Sequence, residues 1–343
     1  MSGIVDVDAT AIAHAAALLE AGALVAFPTE TVYGLGADAD SVEAVRAIFV
    51  AKGRPADHPV IVHVHDAQAI AVWAADAPAA AWRLARAYWP GPLTLVLPRS
   101  TRAHDALTGG QASVGLRCPA HPWARALLQA FVARRGDRAA ALAAPSANSF
   151  GRISPTTAAH VRADLGEKPA GRVDLILDGG ACPVGIESTI VDLTGAEPRL
   201  LRQGAVTRSQ LEATLGCAVP DAAAGAPRAS GGLKHHYAPR VPLEVIAAGR
   251  LPARIEALRG ARLAVLAPAG TVSPDATHVV LALAAPGDAV GYARGLYALL
   301  HRADASGAER ILVAAPPAGE AWDAVHDRLR RAAAAAETLD EGT

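Results

Sequence analysis

The sequence predicts an α/β protein with an open, twisted, mixed sheet in its first part and a smaller Rossmann-like α/β unit at its C-terminal end, joined by a long linker. Three observations carry this. Short apolar runs alternate with longer stretches at helical spacing along the whole chain. Several connections are too short for a parallel crossover, so some strands must pair antiparallel. Across residues 216–242 the composition turns to Ala, Gly, Pro and Ser (DAAAGAPRASGG) before an abrupt KHHYAPR, as expected of a linker. At 343 residues the chain has room for ~2 domains. The expected boundaries are a first domain at 1–215, a linker or lid at 216–242 and a second domain at 243–343.

Residues 8–21 have helical spacing with Asp8 or Thr10 as cap, and residues 23–27 form a short buried strand. Pro28, Gly34 and Gly36 then punctuate a loop. Ser41 opens a helix (SVEAVRAIFVAK) that ends at Gly53, and the next strand spans 60–65 behind Pro59. Further strands are expected at 93–97, 113–117, 141–144, 175–177 and 189–193, with helices near 78–88, 121–134 and 155–165. Beyond the linker, strands near 243–247, 262–267, 278–283 and 310–314 and helices near 288–302 and 320–336 make the Rossmann-like unit. Trp322, Val325 and Leu329 give its last helix a core-facing stripe.

Composition narrows the function. With 32 Lys+Arg against 33 Asp+Glu the formal net charge is −1, which gives no bulk attraction to nucleic acid or membrane; any anion site must be a local cluster of cations. Hydrophobic residues at 52% and charged ones at 19% mark a compact fold and not a disordered chain. Cys118, Cys182 and Cys217 are far apart and form no CxxC, so neither a zinc site nor a disulfide framework is expected and a reducing cytoplasm fits. The apolar stretch at 11–27 is broken by His14 and Glu20 and lacks a basic leader, which reads as helix plus strand and not as a signal or span.

The chemistry concentrates in FPTETVYGLG (27–36) and KGRPADHPV (52–60). Lys52 and Arg54 close a helix, where cations also serve simply to offset the dipole. Gly53 and Pro55 stiffen the turn between and after them, which suits a fixed grip on phosphate oxygens. Strand alternation would place the hydroxyls of Thr29, Thr31 and Tyr33 on one face, although β-branched residues also simply favour strands. His63 and His65 share a face; without a third ligand at suitable spacing they read as hydrogen-bonding groups and not as a metal pair. Ser113 with Arg117, then Ser146, Asn148 and Ser154, then Ser188 with Thr189 repeat this hydroxyl-and-cation character at strand ends, where α/β sheets usually bind ligands. No GxxxxGK[ST], convincing GxGxxG, HExxH or GxSxG triad is present.

In their order and spacing, PTETVYGLG, KGRP, SVGLRCP, APSAN and ESTIVD resemble the YrdC-like threonylcarbamoyl-AMP synthases, and the C-terminal unit resembles that of their long two-domain form. The resemblance implies a YrdC-like catalytic domain. It also implies a nucleotidyltransferase reaction, L-threonylcarbamoyladenylate synthesis, in which L-threonine, bicarbonate and ATP give threonylcarbamoyl-AMP and pyrophosphate. Partner proteins would transfer the product to an adenosine of tRNA in the cytoplasm. It assigns Thr31, His63, Arg117 and Ser188 to threonine, and Lys52, Arg54, His58, Ser113, Ser146, Asn148, Ser154, Arg202 and Tyr237 to ATP. Catalysis would rest on charge stabilisation by Lys52, Arg54 and Arg202, with Mg²⁺ carried on the triphosphate and not by a protein cluster. Two positions depart from the pattern. Ser230, Gly231 and Gly232 stand where the long form commonly has Pro-Gly-Met, which predicts a looser hinge before Tyr237, and position 58 is His where relatives often have Asn. The rival readings are a nonenzymatic duplex-RNA-binding module of the same fold and a related carbamoyl-transferring enzyme; stable nucleic-acid binding and membrane association are not expected.

Overall fold

Residues 4–223, 225–231, 236–273 and 275–340 are described in a computed structural model. The first unit is organised by ten strands among them: β1 (Ile4–Asp6), β2 (Val25–Phe27), β3 (Gly34–Asp38), β4 (Ile61–His63), β5 (Leu93–Pro98), β6 (Ser113–Arg117), β7 (Leu142–Ala143), β8 (Leu175–Asp178), β9 (Thr189–Asp192) and β10 (Arg199–Arg202). Their spatial order is β1-β8-β2-β3-β7-β4-β6-β5-β9-β10. Pairing is mixed: β4 runs parallel to β6 and β5 to β9, whereas β2–β3, β3–β7 and β5–β6 are antiparallel.

Both faces of this sheet are covered, as the pleat of β2 shows. Leu24 and Ala26 join one core with Val45, Ile48 and Phe49 of helix Val42–Lys52. Val25 and Phe27 point into a second core with Ile12 and Leu19 of helix Ala9–Glu20 and Leu127 and Phe131 of helix Pro122–Arg135. Helix Val42–Lys52 starts where the Ser41 hydroxyl accepts from the Ala44 N–H at 3.1 Å and stops at Gly53, whose φ of 61° is the left-handed conformation that glycine adopts without strain.

The stretch expected as a loop after Phe27 is instead β3, buried at all five of its residues and paired with β2 and β7. Its glycines are there for packing. A Cβ on Gly36 would come 2.8 Å from Cε1 of Phe27, so the Phe27 ring lies over the place a side chain would take. Strands β1 and β10 and the short helices Ile70–Trp73, Asp105–Thr108, Arg208–Leu215 and Leu251–Ala257 also lie outside the sequence expectation.

The second unit has a sheet of β11 (Leu243–Ile246), β12 (Leu263–Ala267), β13 (Val279–Ala284) and β14 (Arg310–Ala314) in the order β11-β14-β12-β13, parallel throughout, with helices Ala289–Asp304 and Asp323–Asp340. By internal contacts the first unit comprises Met1–Phe150, Pro155–Pro183 and Glu187–Gly232, and the second Gly151–Ser154, Val184–Ile186 and Leu233–Thr343. Of the Ser-Gly-Gly hinge, Gly232 lies outside the described residues. Among the described residues no helix is long and apolar enough to cross a membrane.

Replacing Gly36 by Ala should lower stability by about 1–3 kcal/mol through overpacking against Phe27. In urea denaturation, Phe27→Leu combined with Gly36→Ala should cost less than the two single changes added together.

Candidate active site in the first unit

The segment between β2 and β3 folds on its own polar groups. The Thr29 hydroxyl donates to the Val32 carbonyl at 2.6 Å and lies 2.9 Å from the Thr31 hydroxyl. Thr31 in turn accepts from Nη2 of Arg117 at 2.9 Å, and the same nitrogen donates to Oε1 of Glu30 at 2.7 Å. The Ala120 N–H donates to the other Glu30 oxygen at 3.0 Å. Burial pushes the Glu30 carboxyl up, but the charge and hydrogen bond of Arg117 outweigh this and hold it below its usual range. The Tyr33 hydroxyl departs from the expected shared face: it donates to the Gly180 carbonyl at 2.8 Å, and its ring is core.

Arg117 ends β6, and the parallel register sets it beside His63 of β4. His63 is 2% exposed, and burial first, then the Arg117 charge, push its imidazole down from 6.5 to about 3, so it is neutral near neutral pH. Arg117 keeps a buried Nε with no partner.

The second group gathers at the end of helix Val42–Lys52. The Lys52 ammonium donates to the Ser146 carbonyl at 2.5 Å and to the Asn148 carbonyl. Burial and the neighbouring Arg54 drive its pKa well below the ordinary lysine value. Arg54 donates from Nη2 to the Pro59 carbonyl at 2.7 Å, sits over the Phe150 ring at 5.6 Å, and has a buried, unpartnered Nε. Burial brings it down to about 10. The His58 ring meets Phe150 edge-on at 5.2 Å, and burial and the Arg54 charge lower its pKa. The two groups are sewn together by backbone: the Ala147 N–H donates to the Tyr33 carbonyl at 2.8 Å, and Gly34 bridges Ser146.

A third group lies at β9 and β10. Arg202 donates to the Ser188 carbonyl and hydroxyl, each at 3.0 Å, and the Ser188 hydroxyl is 2.7 Å from that of Thr94. Ser230 joins this group to the second, since its carbonyl accepts from Arg202 at 2.8 Å while its hydroxyl donates to the Pro59 carbonyl at 3.1 Å and lies 3.4 Å from Nη2 of Arg54. Ser113, at the start of β6, lines a small pocket with Pro59, Thr94, Arg228 and Ser230. Two expected site residues fall in the second unit. The Ser154 carbonyl is 3.2 Å from Nε2 of His301, and Tyr237, with φ 63°, packs its ring against Tyr297 and beneath Arg328. Among the described residues no group of three or more His, Cys, Asp or Glu is placed to hold a metal.

Comparison with known proteins places this arrangement. A family model for Sua5, YciO and YrdC, described as "Telomere recombination", matches residues 17–204, and one described as "Threonylcarbamoyl-AMP synthase, C-terminal domain" matches residues 206–334. The threonylcarbamoyl-AMP synthase of Pyrococcus abyssi is 40% identical over 332 residues, 93% of this chain and 92% of that one. The chain belongs to the Sua5/YciO/YrdC family. The Bacillus subtilis threonylcarbamoyl-AMP synthase is 38% identical, covering 94% of this chain and 92% of its own. The solved structure of P. abyssi Sua5 complexed with L-threonine superposes with a TM-score of 0.85 at 34% identity, over 97% of this chain and 96% of that one. A double-alanine variant of the same Sua5 gives 0.86 at 35%, over 98% and 97%.

In this Sua5-type chain several site-building residues carry no sequence signal of their own. Glu30 sits inside PTETVYG, yet only the fold shows that it meets Arg117, 87 positions away. Asp164 and Arg172 brace the loop that grips Lys52: Arg172 donates to the Ala51 carbonyl at 2.8 Å and the Ser149 hydroxyl at 3.0 Å, and Ser149 donates from its backbone to Asp164 at 2.8 Å. Cys182 is buried near Thr29, and burial pushes its thiol up to about 12, which makes it an inert wall. Chemically, buried guanidinium groups beside a neutral imidazole can bind carboxylate and phosphate without themselves moving protons.

Unfolding should expose the His63 account. Between about pH 6 and pH 4 the unfolded imidazole takes a proton that the folded one refuses, so stability should fall on acidification by about 1.4 kcal/mol per pH unit from this group. His63→Asn should flatten the acid limb of the urea-midpoint profile by that amount, and superimposable profiles would count against it.

Proposed function

We propose that the chain is an L-threonylcarbamoyladenylate synthase, a nucleotidyltransferase that makes threonylcarbamoyl-AMP and pyrophosphate from L-threonine, bicarbonate and ATP. The observation that carries this reading is the pair of buried guanidinium groups, Arg54 and Arg117, each with an unpartnered Nε in one unit, in a chain 40% identical over nearly its full length to a threonylcarbamoyl-AMP synthase. Two separate anion needs, a carboxylate and a triphosphate, account for two such groups.

In this reading Arg117 takes the threonine carboxylate, with Thr31, His63 and Ser188 around the amino acid. Arg54 takes the triphosphate with Lys52, His58, Ser113, Ser146, Asn148 and Arg202. Ser154 and Tyr237 complete the nucleotide site, and residues 216–242 serve as linker and lid between domains at 1–215 and 243–343. The threonine ammonium and bicarbonate condense to a carbamate, releasing one water and one proton. A carbamate oxygen then displaces pyrophosphate from the α-phosphorus in line. No covalent enzyme intermediate is required; the chain's residues orient the two substrates and stabilise charge on the phosphates. Mg²⁺, when present, would shield the triphosphate. The described residues offer no carboxylate or imidazole cluster to hold it, so its ligands would be phosphate oxygens and water. The product would pass to proteins that transfer it to tRNA in the cytoplasm.

The duplex-RNA reading is not favoured, because the near-full-length relatives are named synthases and the net charge of −1 gives RNA no bulk attraction.

Purified chain supplied with ATP, Mg²⁺, bicarbonate and L-threonine should release pyrophosphate, and leaving out threonine should stop it. Equal release in both cases would refute the synthase reading. Arg54→Ala should lower kcat/KM on the order of a hundredfold with its circular dichroism spectrum unchanged.

A further inference from the structure

We infer that Glu30 and Thr29 are positioning residues that clamp Arg117 by one terminal nitrogen and so aim the remainder of its guanidinium at the substrate carboxylate; this rests on the synthase reading given above. The argument is a count of protons. Nη2 of Arg117 carries two N–H groups, and both are spent within the protein, one on Glu30 Oε1 at 2.7 Å and one on Thr31 Oγ at 2.9 Å. Nε is buried without a partner. Arg117 as a whole is 4% exposed, so Nε is closed to bulk solvent.

The clamp is directional because each link has one available sense. A guanidinium only donates, so Thr31 Oγ accepts from it. The single proton of Thr29 Oγ goes to the Val32 carbonyl at 2.6 Å, since a carbonyl cannot donate. The 2.9 Å contact between the two hydroxyls is therefore Thr31 donating to Thr29. The remaining lone pair of Thr29 Oγ is shared by the backbone N–H groups of Thr31 and Val32, each at 3.2 Å, which fixes the oxygen in place. The relay Arg117 to Thr31 to Thr29 to Val32 cannot reverse without breaking a bond, and it holds Nη2 against rotation.

Glu30 fixes the same nitrogen from the other side. Its second oxygen accepts from the Ala120 N–H at 3.0 Å, three residues beyond Arg117, so the carboxylate is tied to the strand end that carries the arginine. A glutamine cannot satisfy both donors, because only one of its two terminal atoms accepts. Held from both sides, Arg117 meets a carboxylate without first ordering its own side chain, a cost that preorganisation removes.

The test compares equilibrium binding of L-threonine, L-threoninamide and ATP to the full chain by calorimetry, with displacement for the weak amide. Thr29→Val should weaken L-threonine about tenfold, leave ATP within about twofold, and leave L-threoninamide, which lacks the carboxylate, unchanged; Thr29→Ser should restore threonine binding. Glu30→Gln should show the same selective loss, and Thr29→Val keeps the test decisive if that variant does not fold. Equal penalties for L-threonine and L-threoninamide, or none for either, would overturn the clamp while leaving the synthase reading intact. A wild-type chain that binds no L-threonine would overturn both.

Discussion

Lys52 and Arg54 are buried cations whose hydrogen bonds, as far as they are made, run to carbonyl and hydroxyl oxygens. Much of the first unit is arranged around that condition. A carbonyl satisfies an N–H but cancels no charge, and removing a charge from water costs several kcal/mol even after relaxation. The depressed lysine and arginine pKa values report this cost. The loop at 146–150 has to come back over the helix end to lend its carbonyls, and the Asp164–Arg172–Ser149 network holds it there. What results is positive charge held away from solvent, which suits the polyanion of the proposed function.

Arg117 obeys the opposite rule, being paired with a carboxylate at 2.7 Å in a site almost closed to solvent. Breaking such a pair from one side usually costs about 3–5 kcal/mol. Under the proposed function the two treatments of positive charge suit two kinds of ligand: a site for a single carboxylate needs direction, whereas a site for a triphosphate needs net charge. They can be neighbours because β3 passes between the segments that supply them, its glycines making room for Phe27 and its first residue bridging Ser146.

Much of the fold is legible in the sequence. Helix Val42–Lys52 has a serine cap, an acidic first turn and a glycine stop, and β6 has the bounds expected from the sequence, 113–117. Strand β3 was not legible, because its glycines read locally as turn signals and only the Phe27 ring across the sheet explains them. Arg117, Thr29 and Thr31 are picked out by residue type and local alternation, but Glu30 meets a partner that local spacing does not reveal, and direction within the Thr29–Thr31 hydroxyl pair is set by a carbonyl acceptor. The second unit was readable as alternating strands and helices because its sheet is wholly parallel and its pattern correspondingly regular.

The chemical seam of the chain does not coincide with its compositional one. Residues 216–242 look like one flexible connector, yet Arg228 donates to the carbonyls of Asp57 and Gly109, each at 2.9 Å, exchanges hydrogen bonds with Gln111, and leads to Ser230 between Arg54 and Arg202. Arg228 and Ser230 are thus packed on the first unit although they are written in the composition of a tether. Anyone excising the first unit for crystallography or grafting it into another scaffold should cut after Gly232. A shorter fragment would keep the motifs by which the family is recognised and discard the edge that closes them.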